Sequence, residues 1–472
     1  MNESAIATPG VYVNEISVLP PSVAQVSTAI PAFIGYTKKA VDTNGAPLPV
    51  NTPLKIFNLK EYEEHFGTAE DETGIIVDVI LVTTPSVKVS AAAKFDTVTP
   101  IPPNVHNMYY SMRLYFGNGG GPCYIVSVKP SSTAGVSDTD LTAGIRAIEA
   151  LDEPTLIVIP EGQAVTSANL YYAMMQVAVD QCSKLQDRFT LVDVYDQSGT
   201  TTANITAFRA AGSLANHLNY AAAYYPNLKT NYDYQYQESA VNINLTKDGV
   251  ASTPTLAGLL PGDSVAYYAA KDAIRRTLSP TLPPTPAIAG IFAQVDADRG
   301  VWKAPANVPV TGIYDVTDFV TDEEQATMNI DPGPGKSVNA IRVFNGKGIL
   351  VWGARTLDGN SSEWKYISVR RFFIMVEESA KKATAQFVFE PNDANTWTKV
   401  RAMIENYLTL LWREGALAGA KPEHAFFVKC GLGQTMTAQD ILDGKLIVEI
   451  GMAAVRPAEF IILRFMHKLQ ES

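Results

Sequence analysis

The sequence predicts an α/β domain built on a parallel sheet, a compact α+β domain behind it, and an extended arm at each end of the chain. Three observations predict this. Short apolar runs alternate with helical stretches between residues 123 and 225. Residues 359–472 hold two long amphipathic helix patterns and an alternating strand pattern. Both ends of the chain carry short apolar segments, the first of them bracketed by Pro and Gly. Strand–helix–strand repetition with short connections is the pattern of a parallel sheet, because each crossover needs a helix to carry the chain back to the starting edge.

Residues 1–26 read as an arm. Thr8-Pro9-Gly10 is a turn signal, Val11, Tyr12 and Val13 open a strand pattern that runs to Ile16, and Leu19-Pro20-Pro21 breaks it. So short a segment cannot fold alone and has to dock on the body or on a neighbour. Residues 27–105 start with an apolar strand at 29–36 and continue as a β-rich stretch, full of Pro and Thr, that reads as an outer decoration.

The α/β domain is assigned to residues 106–358. A helix near 110–116 meets the glycine run 117–121. Strands then fall at 123–128, 155–159, 189–194 and 221–225, with helices at 141–150, 168–185 and 205–218 between them. In the second of these helices Leu170, Met174, Val177 and Ala178 are expected to share one buried face. Residues 229–282 interrupt the alternation and read as a surface insertion.

In residues 359–472, Val369, Phe372, Phe373, Val376 and Ala380 fall on one helical face. Trp397, Val400, Ile404, Tyr407, Leu408 and Leu411 do the same, with Gly415 placed as a C-cap. Leu446, Val448, Ile450 and Met452 alternate as a strand does. Residues 460–467 are apolar on both faces apart from Arg464 and His467, which predicts a terminal strand that needs cover on both sides.

Composition bounds the function. Of 472 residues, 46% are hydrophobic and 18% charged, enough apolar material for a real core. The net charge is −11 with no clear basic run, which argues against nucleic acid and against an anionic membrane surface as partners. Cys123, Cys182 and Cys430 form no CxxC pair and read as reduced thiols. The first residues lack a signal-peptide pattern, and no apolar run reaches the roughly 18 residues that span a bilayer. A protein made and assembled in the cytoplasm, without direct membrane insertion, is expected.

A search for chemistry returns little. In the run 117–121 the third glycine of a GxGxxG fingerprint would fall on Pro122, and the run follows a helix and precedes a strand, the reverse of the dinucleotide motif. Gly335-Lys336-Ser337 resembles the end of a phosphate loop, but the required earlier glycine is Ile330. His65, His106, His217, His424 and His467 show no metal-ligand spacing, and no GxSxG elbow is present. Asp296 with Asp298, and Glu377 with Glu378, read as solvated or salt-bridged surface charge. No catalytic, cofactor-binding or metal-ligating residue is assigned, and no cofactor is expected.

Several short motifs follow one another in order along the chain. They begin with Pro9-Gly10-Val11-Tyr12-Val13 and Ala32-Phe33-Ile34-Gly35. They continue with Asp298-Arg299-Gly300-Val301-Trp302-Lys303-Ala304-Pro305-Ala306-Asn307, then Asn339-Ala340-Ile341-Arg342, then Val351-Trp352-Gly353-Ala354-Arg355-Thr356-Leu357. Trp364-Lys365-Tyr366-Ile367-Ser368-Val369-Arg370-Arg371, Phe389-Glu390-Pro391-Asn392, Leu411-Trp412 with Gly415-Ala416-Leu417, and Pro457-Ala458-Glu459-Phe460 complete the order, and together these stretches resemble contractile tail sheath proteins. Residues 37–105 and 229–282 match nothing in the pattern.

The resemblance implies a subtilisin-like parallel sheet with insertions, a smaller C-terminal domain, and a non-enzymatic sheath subunit. Such subunits form stacked hexameric rings around an inner tube and contract to drive it through a target envelope, in a virion or phage-tail-like particle released by lysis. The implied partners are further copies of the chain, the inner tube protein, and baseplate and terminator or cap proteins. Terminal strands invite pairing with other chains. Val11, Tyr12, Val13, Phe460, Ile462, Leu463 and Phe465 are therefore assigned to inter-subunit strand pairing, and Lys399 and Arg401 to contact with an acidic tube. Two other classes fit an α/β pattern: a degenerate hydrolase-like enzyme, which would gather Ser, His and Asp in one cleft, and a particle-associated binding module, which would be monomeric with an aromatic-lined groove.

Overall fold

The structure, a computed structural model, describes residues 23–96, 105–196, 199–260, 262–331, 333 and 335–463. Along the chain the elements begin with β1 (Pro31–Thr37), β2 (Pro53–Ile56), α1 (Leu59–Phe66), β3 (Ile75–Val82), β4 (Lys88–Phe95), α2 (Met108–Gly117), β5 (Cys123–Pro130) and α3 (Asp138–Ala147). Next come β6 (Leu156–Val158), α4 (Ala168–Leu185), β7 (Phe189–Asp193), α5 (Thr201–Ala210), β8 (Ala221–Tyr225), β9 (Leu228–Thr230), β10 (Asn242–Lys247), β11 (Val250–Ser252) and α6 (Ser264–Thr277). Then follow β12 (Thr281–Leu282), α7 (Thr285–Arg299), β13 (Val308–Pro309), β14 (Ile313–Val316), α8 (Asp322–Asn329), β15 (Val338–Phe344) and β16 (Gly348–Trp352). The last are α9 (Ile367–Thr384), α10 (Ala394–Arg413), α11 (Pro422–Ala425), β17 (Phe426–Lys429), α12 (Ala438–Leu442) and β18 (Glu449–Met452).

The chain divides into two compact units. The larger takes residues 27–375 and the stretch from Arg456; the smaller takes 376–455 and the stretch up to Val26. This compact division falls inside α9, because the first half of that helix packs its apolar residues, Ile367 and Ile374 among them, into the larger core.

The larger unit is built on a nine-stranded sheet in the order β13-β16-β15-β8-β7-β6-β1-β5-β2. The neighbours from β15 through β8, β7, β6 and β1 to β5 are all parallel. β2 and the pair β16–β13 flank them antiparallel. This is the α/β class that the alternation predicts. Every residue of β1, β6, β7 and β8 is buried, as a parallel sheet covered on both faces requires. The chain passes from β1 toward β5 and β2 on one side and from β6 toward β7 and β8 on the other, so the topological switch lies between β1 and β6.

Residues 27–105 do not form one decoration. β1 sits near the centre of the main sheet and β2 closes its edge. β3 and β4 join β10 and β11, from the second unmatched stretch, in a separate four-stranded sheet. The joint is the parallel pair of β10 with β3, running from Asn242 opposite Ile76 to Lys247 opposite Leu81. One face carries Ile75, Val77, Val79, Leu81, Ile243 and Leu245, all buried, and α6 contributes the buried face Ala266, Tyr267, Ala270, Ala273 and Ile274 to the same core. The alternating pattern of β3 thus states its one-sided burial in the sequence, while its partner strand lies far along the chain.

Smaller departures have simple causes. Leu170 is exposed, and α4 buries Tyr171, Tyr172, Met174, Met175, Ala178, Val179 and Cys182, so large aromatic residues claim the face given to Leu170. α5 stops at Ala210, eight residues short of 218, and the chain re-forms a single 3-10 turn at Leu218–Tyr220 before β8. In the smaller unit, β18 begins only at Glu449, leaving Leu446 and Val448 outside it. The predicted faces of α10 do bury Val400, Ile404, Tyr407, Leu408 and Leu411, joined by Met403. Gly415 follows with φ +85°, the left-handed conformation that a C-cap glycine supplies.

Candidate assembly surface

Motif residues meet at the place where the C-terminal segment leaves the larger unit. Asn339 in β15 accepts from Arg355 N–H (2.8 Å) and donates to the Arg355 carbonyl (2.8 Å) and the Ala223 carbonyl (3.0 Å). Held in this way, the Arg355 guanidinium grips Glu459 with two prongs, Nε to Oε1 at 2.9 Å and Nη2 to Oε2 at 2.6 Å. Asn329 Nδ2 (2.7 Å) and the Tyr366 hydroxyl (3.3 Å) donate to the same carboxylate. Burial pushes the Glu459 carboxyl up, but the bonds from Arg355 and Asn329 outweigh it and hold it below its usual range.

Immediately beyond Glu459 the chain turns outward. Phe460, Ile461, Ile462 and Leu463 are 67, 78, 79 and 72% exposed. Residues 460–463 form no strand within the subunit, and the rest of the predicted terminal strand, 464–467, lies outside the described residues. The residues 460–463 are thus consecutive apolar residues exposed on the surface of the subunit. Phe465 and the N-terminal Val11, Tyr12 and Val13 lie outside the described residues. In the smaller unit, β17 and β18 pair antiparallel from Phe426 opposite Met452 to Lys429 opposite Glu449, a two-stranded sheet among the described residues. Isolated two-stranded sheets are marginal and gain from further strands.

Lys399 and Arg401 lie off the apolar face of α10. Lys399 is exposed; Arg401 is half-buried, with Nε 3.8 Å from Glu405 Oε1 one turn on.

The motifs that mimic chemistry have structural work. Lys336, whose neighbours imitate a phosphate loop, is buried and donates through Nζ to the Ala211 carbonyl (2.8 Å) just past the end of α5. Gly119 takes φ +90° in the turn between α2 and β5. At the switch between β1 and β6, where doubly wound sheets hold ligands, the buried Glu161 carboxylate accepts from Tyr36 N–H (2.7 Å) and Met108 N–H (3.2 Å). His106 Nδ1 lies 3.7 Å from it. Burial opposes charge on His106, while Glu161 and the Thr133 carbonyl favour it, and the net direction is upward. No group of three or more His, Cys, Asp or Glu able to hold a metal occurs among the described residues.

Two acidic residues read from sequence as surface charge are covered: Glu378 is buried, and the Asp296 side chain is 6% exposed. Asp296 forks onto Arg371 at 3.0 and 2.5 Å, and Glu378 pairs with Lys381 at 3.1 Å and Lys382 at 3.4 Å. The signal for Asp296 lay in Val369-Arg370-Arg371, where an arginine on an apolar helix face calls for a carboxylate partner.

Comparison with known proteins decides the family. Residues 134–357 match the phage tail sheath protein central domain and residues 360–467 the phage tail sheath C-terminal domain. A solved chain of the anti-feeding prophage baseplate is 31% identical, with 98% of this chain and 100% of that one aligned at a TM-score of 0.64. The chain belongs to the tail sheath protein family. Accordingly it is a structural protein and not an enzyme. A second solved chain similar to this sheath protein comes from the sheath complex of the extracellular contractile injection system PVC in its contracted state, at 31% identity, 98% coverage of both chains and a TM-score of 0.64. The tail sheath protein of Vibrio phage KVP40 is 24% identical over 380 residues, 75% of this chain and 50% of that protein. The tail sheath protein of Burkholderia phage BcepMu is 26% identical over 195 residues, 37% of this chain and 39% of that one. The sheath chain thus spans half or less of the length of these two relatives. Among its described residues no helix is long and apolar enough to cross a membrane.

Proposed function

We propose that this sheath protein polymerises as helically stacked hexameric rings around an inner tube, and that contraction of the array drives the tube through a target envelope. The observation that carries the reading is the exposed apolar run at 460–463 directly after an anchored residue. A subunit that never met a neighbour would have no use for it. The run supplies a strand, and β17–β18 of a neighbouring subunit supplies an edge, with Val11, Tyr12 and Val13 of another copy as a further strand. Main-chain ladders of this kind link subunits while the compact bodies rotate as rigid pieces. The energy of contraction is stored at assembly, so no nucleotide is consumed. Inner tube, baseplate and cap proteins complete the partners, and assembly takes place in the cytoplasm before release by lysis. The relatives described as a contracted sheath and as a baseplate component support the same reading.

Electron microscopy of the purified protein tests it, together with Leu463→Pro. Proline removes a ladder donor and disrupts pairing. The wild-type protein is expected to form tubes or stacked rings. Leu463→Pro is expected to melt as the wild type does and to form none. Normal tubes from the variant would overturn the pairing role, and loss of its own melting transition would return the segment to the subunit's core.

A further inference from the structure

We infer that the C-terminal arm at Glu459 and the lead into β1 at Thr28 are each fastened in the larger unit by an arginine–carboxylate clamp, Arg355–Glu459 at the C-terminal root and Arg371–Asp296 at the N-terminal root, and that these clamps pass pull from the two ends of the chain into the nine-stranded sheet. The inference rests on the reading that the arms link neighbouring subunits, and adds where the link is fastened.

The two roots share one design. At the C-terminal root, Glu459 is the last held residue before the exposed run, and its Arg355 partner is only 7% exposed. Arg355 is itself fastened through its backbone to Asn339 of β15. At the N-terminal root, Thr28 stands just before β1. Its hydroxyl donates to Asp296 Oδ2 at 2.6 Å, and its carbonyl accepts from Arg371 Nη2 at 2.8 Å and from the Thr155 hydroxyl at 2.9 Å. Arg371 and Asp296 are 3 and 6% exposed, and the guanidinium lies 4.5 Å from the centre of the Phe292 ring. A two-pronged guanidinium–carboxylate contact resists displacement in two directions at once, which a single hydrogen bond does not. Burial makes it a poor means of raising stability alone, since desolvation offsets much of the attraction, but breaking one partner is strongly unfavourable. Such a contact is therefore suited to fixing position under pull. Both clamps end on the sheet: Asn339 lies in β15, and Thr28 leads into β1, the strand between β5 and β6.

The test pulls one full-length subunit between handles at its two ends, under constant force, and records the lifetime and length of each extension step. A short first step, release of a root, is expected before the long step of body unfolding. Glu459→Gln and Asp296→Asn are each expected to shorten the lifetime before the first step about a hundredfold, the scale on which a buried charge left alone destabilises, and to leave the long step nearly unchanged. Glu149→Gln, which removes the exposed partner of Lys184, is expected to change neither. Arg355→Lys, which keeps the charge and loses the second prong, gives the same readout should a carboxylate variant fail to fold. First-step lifetimes equal to the wild type, or a change confined to the long step, would overturn the clamps. Tube formation is scored separately: unchanged lifetimes with normal tubes reject the clamps alone, whereas shortened lifetimes in a protein that never forms tubes uphold the clamps as roots and reject the sheath reading.

Discussion

Asp193 shows what a single buried residue does to this fold. It ends β7 and accepts from Thr285 N–H (3.0 Å) and the Thr285 hydroxyl (2.7 Å) at the start of α7. Burial pushes its carboxyl up to about 7, against the opposing effect of both Thr285 bonds. In the unfolded chain the same group titrates near the ordinary 3.8. Between these values the folded state binds a proton that the unfolded state does not, so the group's contribution falls as pH rises from about 4 to about 7 and is flat above. Asp193→Asn removes that dependence. Subtracting the denaturant-unfolding free energies of the two proteins across this window is expected to give a difference that shifts by on the order of 4 kcal/mol in favour of the variant as pH rises. A constant difference would mean that Asp193 stays charged when buried. The same scale holds a failure of sequence reading: nothing beside Glu378 in the chain announces its burial, because its lysine partners are local while its cover comes from packing.

At the scale of elements, the contact of α2 with α7 depends on Gly290. A Cβ there would lie 2.4 Å from the Tyr115 carbonyl oxygen and 3.0 Å from Asn118 Cβ. Alanine favours an isolated helix by about 1 kcal/mol, but a backbone carbonyl cannot swing aside as a side chain does, and forced separation of packed helices costs about 1–3 kcal/mol. The steric effect is expected to win. Gly290→Ala should lower the denaturant midpoint with an unchanged slope, and a raised midpoint would show that the helices separate freely. Five strands of the main sheet, β1, β5, β6, β7 and β8, were legible because each is a short apolar run, whereas β2, β13, β15 and β16 were not predicted as strands. The four-stranded sheet was legible only as pieces: β3 alternates visibly, but its pairing with β10 spans more of the chain than any local pattern records.

For the whole molecule, the question is what the smaller unit meets. Lys399 and Arg401 stand off the buried face of α10, and we propose that they touch an acidic inner tube, where exposed charge sets register and on-rate more than affinity. The double variant Lys399→Glu, Arg401→Glu is expected to abolish co-sedimentation with the tube protein while leaving the melting of the isolated subunit almost unchanged. The second substitution places two carboxylates one turn apart, at position 401 and at Glu405, and like charges so spaced on a helix surface cost only about 0.2–0.5 kcal/mol. Undiminished co-sedimentation would remove this helix from the tube contact.

The sequence by itself determined the class of this protein. Periodicities of about two and 3.6 residues, with a helix returned between apolar runs, leave a parallel sheet as the way to bury both faces. The order of short motifs from Pro9 to Phe460 was enough to point to a sheath subunit. Those motifs turn out to be joints: Asn392 accepts from Trp397 Nε1 at 2.6 Å and donates to the Lys445 carbonyl at 2.9 Å, and Asn339 holds Arg355. Only the tertiary structure decided which joints meet. Residues 355 and 459, 28 and 371, and 76 and 242 are brought together by closure of the sheet and its helices, and hydrogen-bonded pairs so distant leave no periodic trace in the chain, because each half satisfies only its own local geometry.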